Sequence, residues 1–572
     1  MKSVAPIYTE RSECQDCYKC LRACPVKAIK VQDGCATVMG DSCIYCGHCV
    51  QVCPNGAKHV RNDLEIARRV LRQGPRVIAS LAPSFVCEFA AISPQQLVAA
   101  LRKLGFDAVS ETALGAQQVT LHVSLEMQKR SQQVYFSSAC PAVVEYVRKY
   151  HPEEASRMAS LLSPVLTHCK MLRQHYGDDT RIVFIGPCIA KKREADARPD
   201  LLAVALTYEE LRQWFQEEGI VPETLTPVAD DRFMPEDARD GALYPIEGGM
   251  SSAMRVQSPT DGRFMSFSGL SSIKEAVAEM GDWHPQESIF LELLACQGGC
   301  INGPKTRRAE GTVRKRYQVI SYAKPTVVQE RVTVAIDEPL DAPILLRPTF
   351  TEAQIRGALR TVGKSSAADE RNCGGCGYDS CRELACALLE QKAERTMCAT
   401  YMRQLAQKKA NTLISKMPSA VVIVNEKLQI VECNQRFRAM FDEEFETARA
   451  VSPDEEPALT EVVPFHYLFQ RVLEGGEDVL DRDIRFRSAI LHASIFTIEP
   501  NVLAGAVLQD ITQPTMQKEQ IITRAQQVIY KNLKTVQQIA FLLGENATES
   551  EITLNSIVES FSTKDVGDAD KH

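Results

Sequence analysis

Apolar and polar positions alternate between two periods along most of this chain. Val77-Ile78-Ala79-Ser80-Leu81 and Ile182-Val183-Phe184-Ile185 are short apolar runs that end in Pro or Gly loops, so they read as buried strands. Gln95 to Leu104 lies between them with helical spacing. That alternation predicts α/β layers with chemistry in the loops after the strands. Past residue 417 the pattern changes. Val421-Val422-Ile423-Val424 and Leu428-Gln429-Ile430-Val431 predict a hairpin turning at Asn425-Glu426-Lys427. Ile490 to Ile498 and Leu503 to Leu508 predict later strands. Near the C-terminus Ile522, Ile529, Leu533, Val536, Ala540 and Leu543 recur at three- and four-residue steps, with Gln526 as a polar member. This is a short coiled-coil seam or one buried face of a packed helix.

These patterns divide the 572 residues into five stretches. Residues 5–62 are cysteine-dense, 75–335 form the α/β body, and 355–416 hold a second cysteine group running into a helical pattern. A Pro-bearing linker, Asp337 to Pro348, separates the last two. Residues 417–512 carry the hairpin pattern, 513–561 the C-terminal helix, and the polar end from Ser562 is expected to fray. The fold class expected is multidomain α/β and α+β.

Composition is that of ordinary globular protein, with 45% apolar and 24% charged residues. A formal charge of −7 argues against a nucleic-acid partner. Met1 to Glu10 lacks a basic patch followed by an apolar stretch, so no signal peptide is expected. No apolar run approaches about 18 residues, so no membrane span is expected either. Cysteine changes the picture, because its 21 copies are clustered. With a cytoplasmic location expected, the reducing environment favours metal ligation over disulfides.

Cys14, Cys17, Cys20 and Cys24-Pro25 form C-x2-C-x2-C-x3-C-P, and Cys43, Cys46, Cys49 and Cys53-Pro54 repeat it. Three closely spaced thiolates can wrap three corners of an iron–sulfur cubane, and the fourth cysteine of each run ligates the other cluster. Cys14, Cys17, Cys20 and Cys53 are therefore assigned to one 4Fe-4S cluster, and Cys43, Cys46, Cys49 and Cys24 to a second. Zinc also takes C-x2-C pairs, but two such runs, each closed by proline, disfavour it. The segment resembles the bacterial two-cluster ferredoxin. Cys35 lies outside both runs and reads as a small core residue.

Three loops of the central body stand out. Ser137-Ser138-Ala139-Cys140-Pro141 follows the strand-like Val134-Tyr135-Phe136, and Gly186-Pro187-Cys188-Ile189-Ala190-Lys191 follows Ile182 to Ile185. Leu294-Ala295-Cys296-Gln297-Gly298-Gly299-Cys300-Ile301-Asn302-Gly303-Pro304 follows an apolar, helix-like stretch. Any one of these cysteines alone would read as a core residue. Four of them, each beside Pro or Gly, suit another cubane, since glycine lets backbone approach a bulky group.

The three loops resemble the signature loops of FeFe hydrogenases, whose usual forms are TSCCP, MPCxxK and ExMxCxGGCxxGGG. The resemblance covers about 75–335 in the right order. It implies an H-cluster, a 4Fe-4S cubane joined to a diiron unit carrying carbonyl, cyanide and a bridging dithiolate amine. By position, Cys140, Cys188, Cys296 and Cys300 would ligate the cubane. Cys300 would also bridge to the diiron unit, and Lys191 would hydrogen-bond a cyanide. Read on its own, Lys191 would be a surface lysine.

Departures from the family pattern bear on the chemistry. The first of two adjacent cysteines, which carries protons in productive members, is Ala139 here and has no proton to exchange. Gly186 and Leu294 replace methionines, and Pro304 replaces a glycine. Gly115-Ala116 leads to Gln117, Gln118 and His122 where paired glutamates are usual. The usual proton wire is therefore broken. Glu111, His122, Ser138 and Cys169 are candidate substitutes, each read first as hydrogen-bonded framework.

Cys373-Gly374-Gly375-Cys376, Cys381 and Cys398 give C-x2-C-x4-C-x16-C. With Ala385 and Ala387, they resemble the small 4Fe-4S domain of corrinoid and electron-transfer proteins, so Cys373, Cys376, Cys381 and Cys398 are expected ligands, with zinc as the rival. Cys386 reads as core. Residues 417–512 resemble a PAS sensor domain through the hairpin, Asn434 with Phe437 and Phe441, and the closing Asp510-Ile511-Thr512. The alternative is an unrelated α+β interaction domain.

Three functions remain in view. The favoured one is a sensory FeFe hydrogenase of low turnover, which binds or slowly oxidises H2 and passes the redox state to the PAS-like part. The others are a metabolic hydrogenase exchanging electrons with ferredoxin, and a non-enzymatic iron–sulfur protein lacking the diiron unit. Partners expected are H2, protons, a redox partner such as ferredoxin, a downstream signalling protein, and a second copy through the PAS-like domain and C-terminal helix.

Overall fold

The computed structural model describes residues 4–129, 132–257, 263–281, 283, 285–307, 311–324, 332–339, 348–451, 458–475, 477–512, 527–528 and 530–536. The chain divides into two compact units, Met1–Met397 and Cys398–His572. Most of the expected linker and of the expected C-terminal helix lies outside the described residues.

The first unit opens with two copies of one small design. Strand β1 (Ile7–Thr9) pairs antiparallel with β4 (Lys58–Val60), and β2 (Ile29–Gln32) with β3 (Cys35–Val38). Short helices, Lys19–Ala23 and His48–Val52, carry the third cysteine of each run. Left-handed residues flank the second cysteine in both copies: Asp16 and Tyr18 around Cys17, Tyr45 and Gly47 around Cys46. Such alternation turns successive backbone N–H groups toward one point, a concave site for a negatively charged group.

The α/β body holds two parallel sheets. One has the order β6 (Ala108–Glu111), β5 (Val77–Leu81), β8 (Arg181–Gly186), β9 (Val204–Thr207). The other runs β10 (Arg263–Ser268), β11 (Ile289–Leu294), β7 (Val134–Phe136). Every residue of β5, β7, β9 and β11 is buried, as a sheet covered on both faces requires. The stretch before the third loop is thus a strand, correcting the helix-like reading. A short apolar run buried on both sides carries no period that separates strand from helix.

The helix Pro94–Lys103 is closed by a Ser93–Gln96 capping box. Farther on, the helices Glu352–Thr361 and Cys381–Leu389 pack through Ala358, Leu359, Cys381 and Ala385. Cys386 is only partly buried and lies off that contact, so it is not the core residue expected. In a helix, 385 and 386 point about 100° apart, and the buried face follows Ala385.

The second unit begins with the helix Ala399–Lys416. Its sheet is antiparallel, in the order β13 (Ile430–Cys433), β12 (Ala420–Asn425), β16 (Leu503–Asp510), β15 (Ala489–Glu499), β14 (Val479–Phe486). The predicted hairpin is β12–β13, and β14 is a strand beyond those predicted. Phe437, Phe441, Phe445, Phe465 and Phe469 fill the space between sheet and helices. Asn434 accepts from Phe437 N at 2.9 Å and Val421 N at 3.0 Å, and donates to Ser419 O at 2.8 Å. One side chain thereby caps a helix and ties it to the first strand.

Candidate metal-cluster site

All three cysteine loops leave the carboxyl ends of parallel strands, where open α/β sheets place their ligands. Cys140 follows β7 and precedes the helix Pro141–Tyr150. Cys188 follows β8, and Cys296 and Cys300 follow β11. The four surround one cavity of about 110 Å³. Cys296 lies within electrostatic reach of Cys300, Cys188 and Cys140. Burial pushes the Cys188 thiol up to about 11 and raises Cys296 and Cys300 further. Thiols in an apolar pocket gain most from a cationic metal centre, which stabilises thiolates directly. Among the described residues no three His, Cys, Asp or Glu side chains gather around a single ion.

Glycine makes room around this cavity. A Cβ on Gly299 would stand 2.3 Å from Pro245 O, and one on Gly303 2.8 Å from Pro187 Cβ. Gly186, where the hydrogenase pattern has methionine, is compelled by a neighbour. A Cβ there would meet Phe184 Cζ at 2.4 Å, and the Phe184 ring lines the cavity.

Lys191 lines the same cavity and is 8% exposed, so it is no surface lysine. Its Nζ donates to Ser163 Oγ at 3.2 Å and pairs with Glu194 Oε2 at 2.5 Å. An ammonium has three donors, and the bond to Ser163 uses one, so donors remain for a group in the cavity. Four thiols, an available ammonium donor and close glycine backbone fit a cubane carrying a diiron unit with anionic ligands. The neighbouring Lys192 has a different task. Fully buried, it bonds Asp63 Oδ2 at 2.9 Å, Glu210 Oε1 at 2.8 Å and Ala205 O at 3.0 Å, tying the chain just after the cysteine-dense segment to the α/β body.

Ala139 forms part of the cavity wall. None of the four substitutes named from sequence is among the residues lining the cavity. Glu111 accepts from Ala238 N at 2.7 Å and Tyr322 OH at 2.8 Å, and burial raises its carboxyl. His122 meets Val334 O at 2.9 Å, and Ser138 donates to Leu161 O at 3.3 Å. Cys169 is fully buried near Glu194 and Lys191. Glu292, missed by the sequence reading, does line the cavity. It accepts from Ser251 N at 3.0 Å, Ser251 Oγ at 2.8 Å and Ser266 Oγ at 3.0 Å, and burial raises its carboxyl. Its only trace in sequence is the leading Glu of the third loop's usual form.

In the cysteine-dense segment, Cys53 stands within reach of Cys20, and Cys24 within reach of Cys43, Cys46 and Cys49. Burial pulls the Cys14 thiol up, but the amides of Ala36 and Asp16 and the Lys58 ammonium outweigh it and hold it low. Cys35 is buried, as expected, and hydrogen-bonds Cys14. Cys17 and Cys373 are exposed, while Cys376 and Cys381 are buried in the first unit. Cys398 opens the second unit, with Sγ 3.2 Å from Thr400 Oγ1.

Residues 75–304 match the C-terminal domain of the iron-only hydrogenase large subunit. Residues 6–54 match a 4Fe-4S dicluster domain, and 369–400 a putative Fe-S cluster family. Three segments of the chain thus match iron–sulfur families: an iron-only hydrogenase large-subunit domain, a dicluster domain and a further Fe-S domain. Iron hydrogenase 1 of Clostridium pasteurianum is 26% identical over 294 residues, 43% of this chain and 51% of that protein. The chain therefore matches about half the length of that relative. The cytosolic Fe-S cluster assembly factor NAR1 of Yarrowia lipolytica is 31% identical over 102 residues, 17% of this chain and 21% of that one. The FeFe-hydrogenase HydA1 structure from Chlamydomonas reinhardtii aligns with TM-score 0.39 and 20% identity, over 46% of this chain and 91% of that one. No helix among the described residues is long and apolar enough to cross a membrane.

Proposed function

We propose that this protein binds or slowly oxidises H2 at an H-cluster and passes the redox state toward its PAS-like domain, as a sensor of H2 or redox state. The observation that carries the reading is the shared cavity of Cys140, Cys188, Cys296, Cys300 and Lys191, with alanine at the proton-relay position. When bound, the diiron unit supplies the metal and basic amine that split H2 into two protons and two electrons. The four cysteines would hold the cubane, Cys300 shared with the diiron unit. A remaining Lys191 donor would orient an anionic ligand, and Phe184, Pro187 and Leu294 would exclude water.

Proton handling sets the rate. Ala139 can neither hold nor pass a proton. A general acid–base relay contributes about 10²–10⁴-fold, and its loss slows turnover without preventing H2 binding. Glu292 is the buried carboxyl on the cavity wall able to hold a proton. Its bonds to Ser251 and Ser266 lead toward the half-buried Ser266. The remaining sets, Cys14/Cys17/Cys20/Cys53, Cys24/Cys43/Cys46/Cys49 and Cys373/Cys376/Cys381/Cys398, would hold three more 4Fe-4S clusters for electron transfer.

The test is to load the protein with the diiron cofactor, record its infrared spectrum and add H2. Carbonyl and cyanide bands that shift under H2, with slow evolution, are expected. Absence of these bands would overturn both hydrogenase readings and leave the non-enzymatic one. Bands with fast evolution would indicate a metabolic hydrogenase.

A further inference from the structure

The Tyr378 hydroxyl is buried and has no hydrogen-bond partner among the described residues, and the residue is 5% exposed. An unpaired buried hydroxyl costs about 1–3 kcal/mol, so an acceptor belongs there. Tyr378 lies two residues beyond Cys376 and within electrostatic reach of both Cys376 and Cys24. These thiols belong to different cysteine sets from distant parts of the chain.

The contact around it is specific. Lys27 Nζ donates to Gly377 O at 2.9 Å and to Asp379 Oδ1 at 3.2 Å. Val31 N donates to Lys392 O at 2.9 Å, and Asp33 N to Glu394 Oε1 at 2.6 Å. Gly377 has φ of +95°, and a Cβ on it would stand 2.9 Å from Leu21 Cδ2. Leu21 follows Cys20 in the helix Lys19–Ala23, so the small Fe-S domain is seated against the dicluster domain beside its cysteines. Cys46, of the same set as Cys24, lies within electrostatic reach of Cys296. There a Cβ on Gly47 would stand 2.5 Å from Pro304.

We propose that Tyr378 and Cys24 form the electron junction between the small Fe-S domain and the dicluster domain. The set Cys24/Cys43/Cys46/Cys49 then faces two neighbours, the four-cysteine cavity and the small domain. One electron leaves the reduced cluster of the Cys24 set and reduces the cluster of the small domain, with no bond made or broken and no proton moved. Dithionite, or H2 oxidation under the function proposed above, supplies that electron. The junction rests on the cysteine sets holding clusters and does not require the diiron unit. Donating to a sulfur of the bound cluster, the unpartnered Tyr378 hydroxyl would favour the more negative, reduced state, because hydrogen bonds to sulfur tune cluster potentials.

The test is an EPR-monitored redox titration of the cluster-loaded full chain with dithionite. In the reduced wild type, the small-domain cluster should show magnetic coupling to a neighbour. Tyr378→Phe should shift its oxidised-to-reduced ratio at fixed potential about tenfold toward oxidised, a fall of about 59 mV for one electron. Lys27→Glu, which places like charge against Asp379, should weaken the coupling and speed amide exchange across 373–397 at unchanged iron content. A magnetically isolated small-domain cluster in the wild type would overturn the junction. So would coupling that survives Lys27→Glu once exchange shows the contact opened, or a Tyr378→Phe ratio within twofold of wild type. The carbonyl and cyanide bands report separately on the H-cluster, so failure of one proposal is distinguishable from failure of the other.

Discussion

Replacing Lys192 by methionine keeps the length of the side chain and removes a charge with no access to solvent. Its three donors are all engaged, by Asp63, Glu210 and Ala205 O. Asp63 is 1% exposed and Glu210 6% exposed. Losing one partner of a buried ion network costs about 3–5 kcal/mol, because the remaining charges stay desolvated. Here the two carboxylates keep other partners. Asp63 retains Arg61 at 2.8 Å, and Glu210 retains the Asp63 and Thr207 amides at 2.7 Å. The lower end, about 3 kcal/mol, is therefore expected. With a urea m-value near 3 kcal/mol/M, the midpoint falls by about 1 M. Trp214 reports the change by fluorescence, since it is buried and shares the helix Tyr208–Glu217 with Glu210. A loss under about 1 kcal/mol would refute the reasoning, because that is the range of an exposed ion pair.

Three further outcomes are expected. Ala139→Cys in the cofactor-loaded protein should raise H2 evolution by about 10²–10⁴-fold with reduced methyl viologen as donor, and no increase would show that another route already carries protons. Glu292→Gln should lower the residual evolution of the wild type by at least about tenfold while infrared bands persist, and unchanged turnover would exclude this carboxyl from proton handling. His168 is fully buried between Ser80 at 2.8 Å and Ser110 at 2.9 Å, and burial pushes its imidazole down to about 3. The unfolded chain then binds an extra proton between pH 6.5 and 3, so this group's contribution is full above about 6.5 and falls with pH at up to about 1.4 kcal/mol per unit. Raised carboxyls such as Glu111 and Glu292 act in the opposite sense, losing stability as pH rises through their folded values. Comparing urea midpoints of wild type and His168→Asn from pH 7 to 5 isolates the imidazole, and parallel profiles would contradict its buried neutral state.

Cysteine spacing by itself determined a great deal about this protein. Two C-x2-C-x2-C-x3-C-P runs specify cubane chemistry, because covalent geometry limits how a few residues can wrap a cluster. Apolar runs ending in Pro or Gly located β5 and β8, and two apolar runs around Asn425-Glu426-Lys427 located the β12–β13 hairpin. Local periodicity could not tell that Ile289–Leu294 is a strand, since full burial on both faces erases the pattern. Tertiary structure alone separated the adjacent lysines, turning Lys191 to the cavity and Lys192 to a buried ion network. It also brought Glu292 to the cavity wall and Tyr378 within electrostatic reach of Cys24. These facts depend on groups far apart in the chain. Desolvation and hydrogen bonding act through space, so residue type and spacing cannot reveal them.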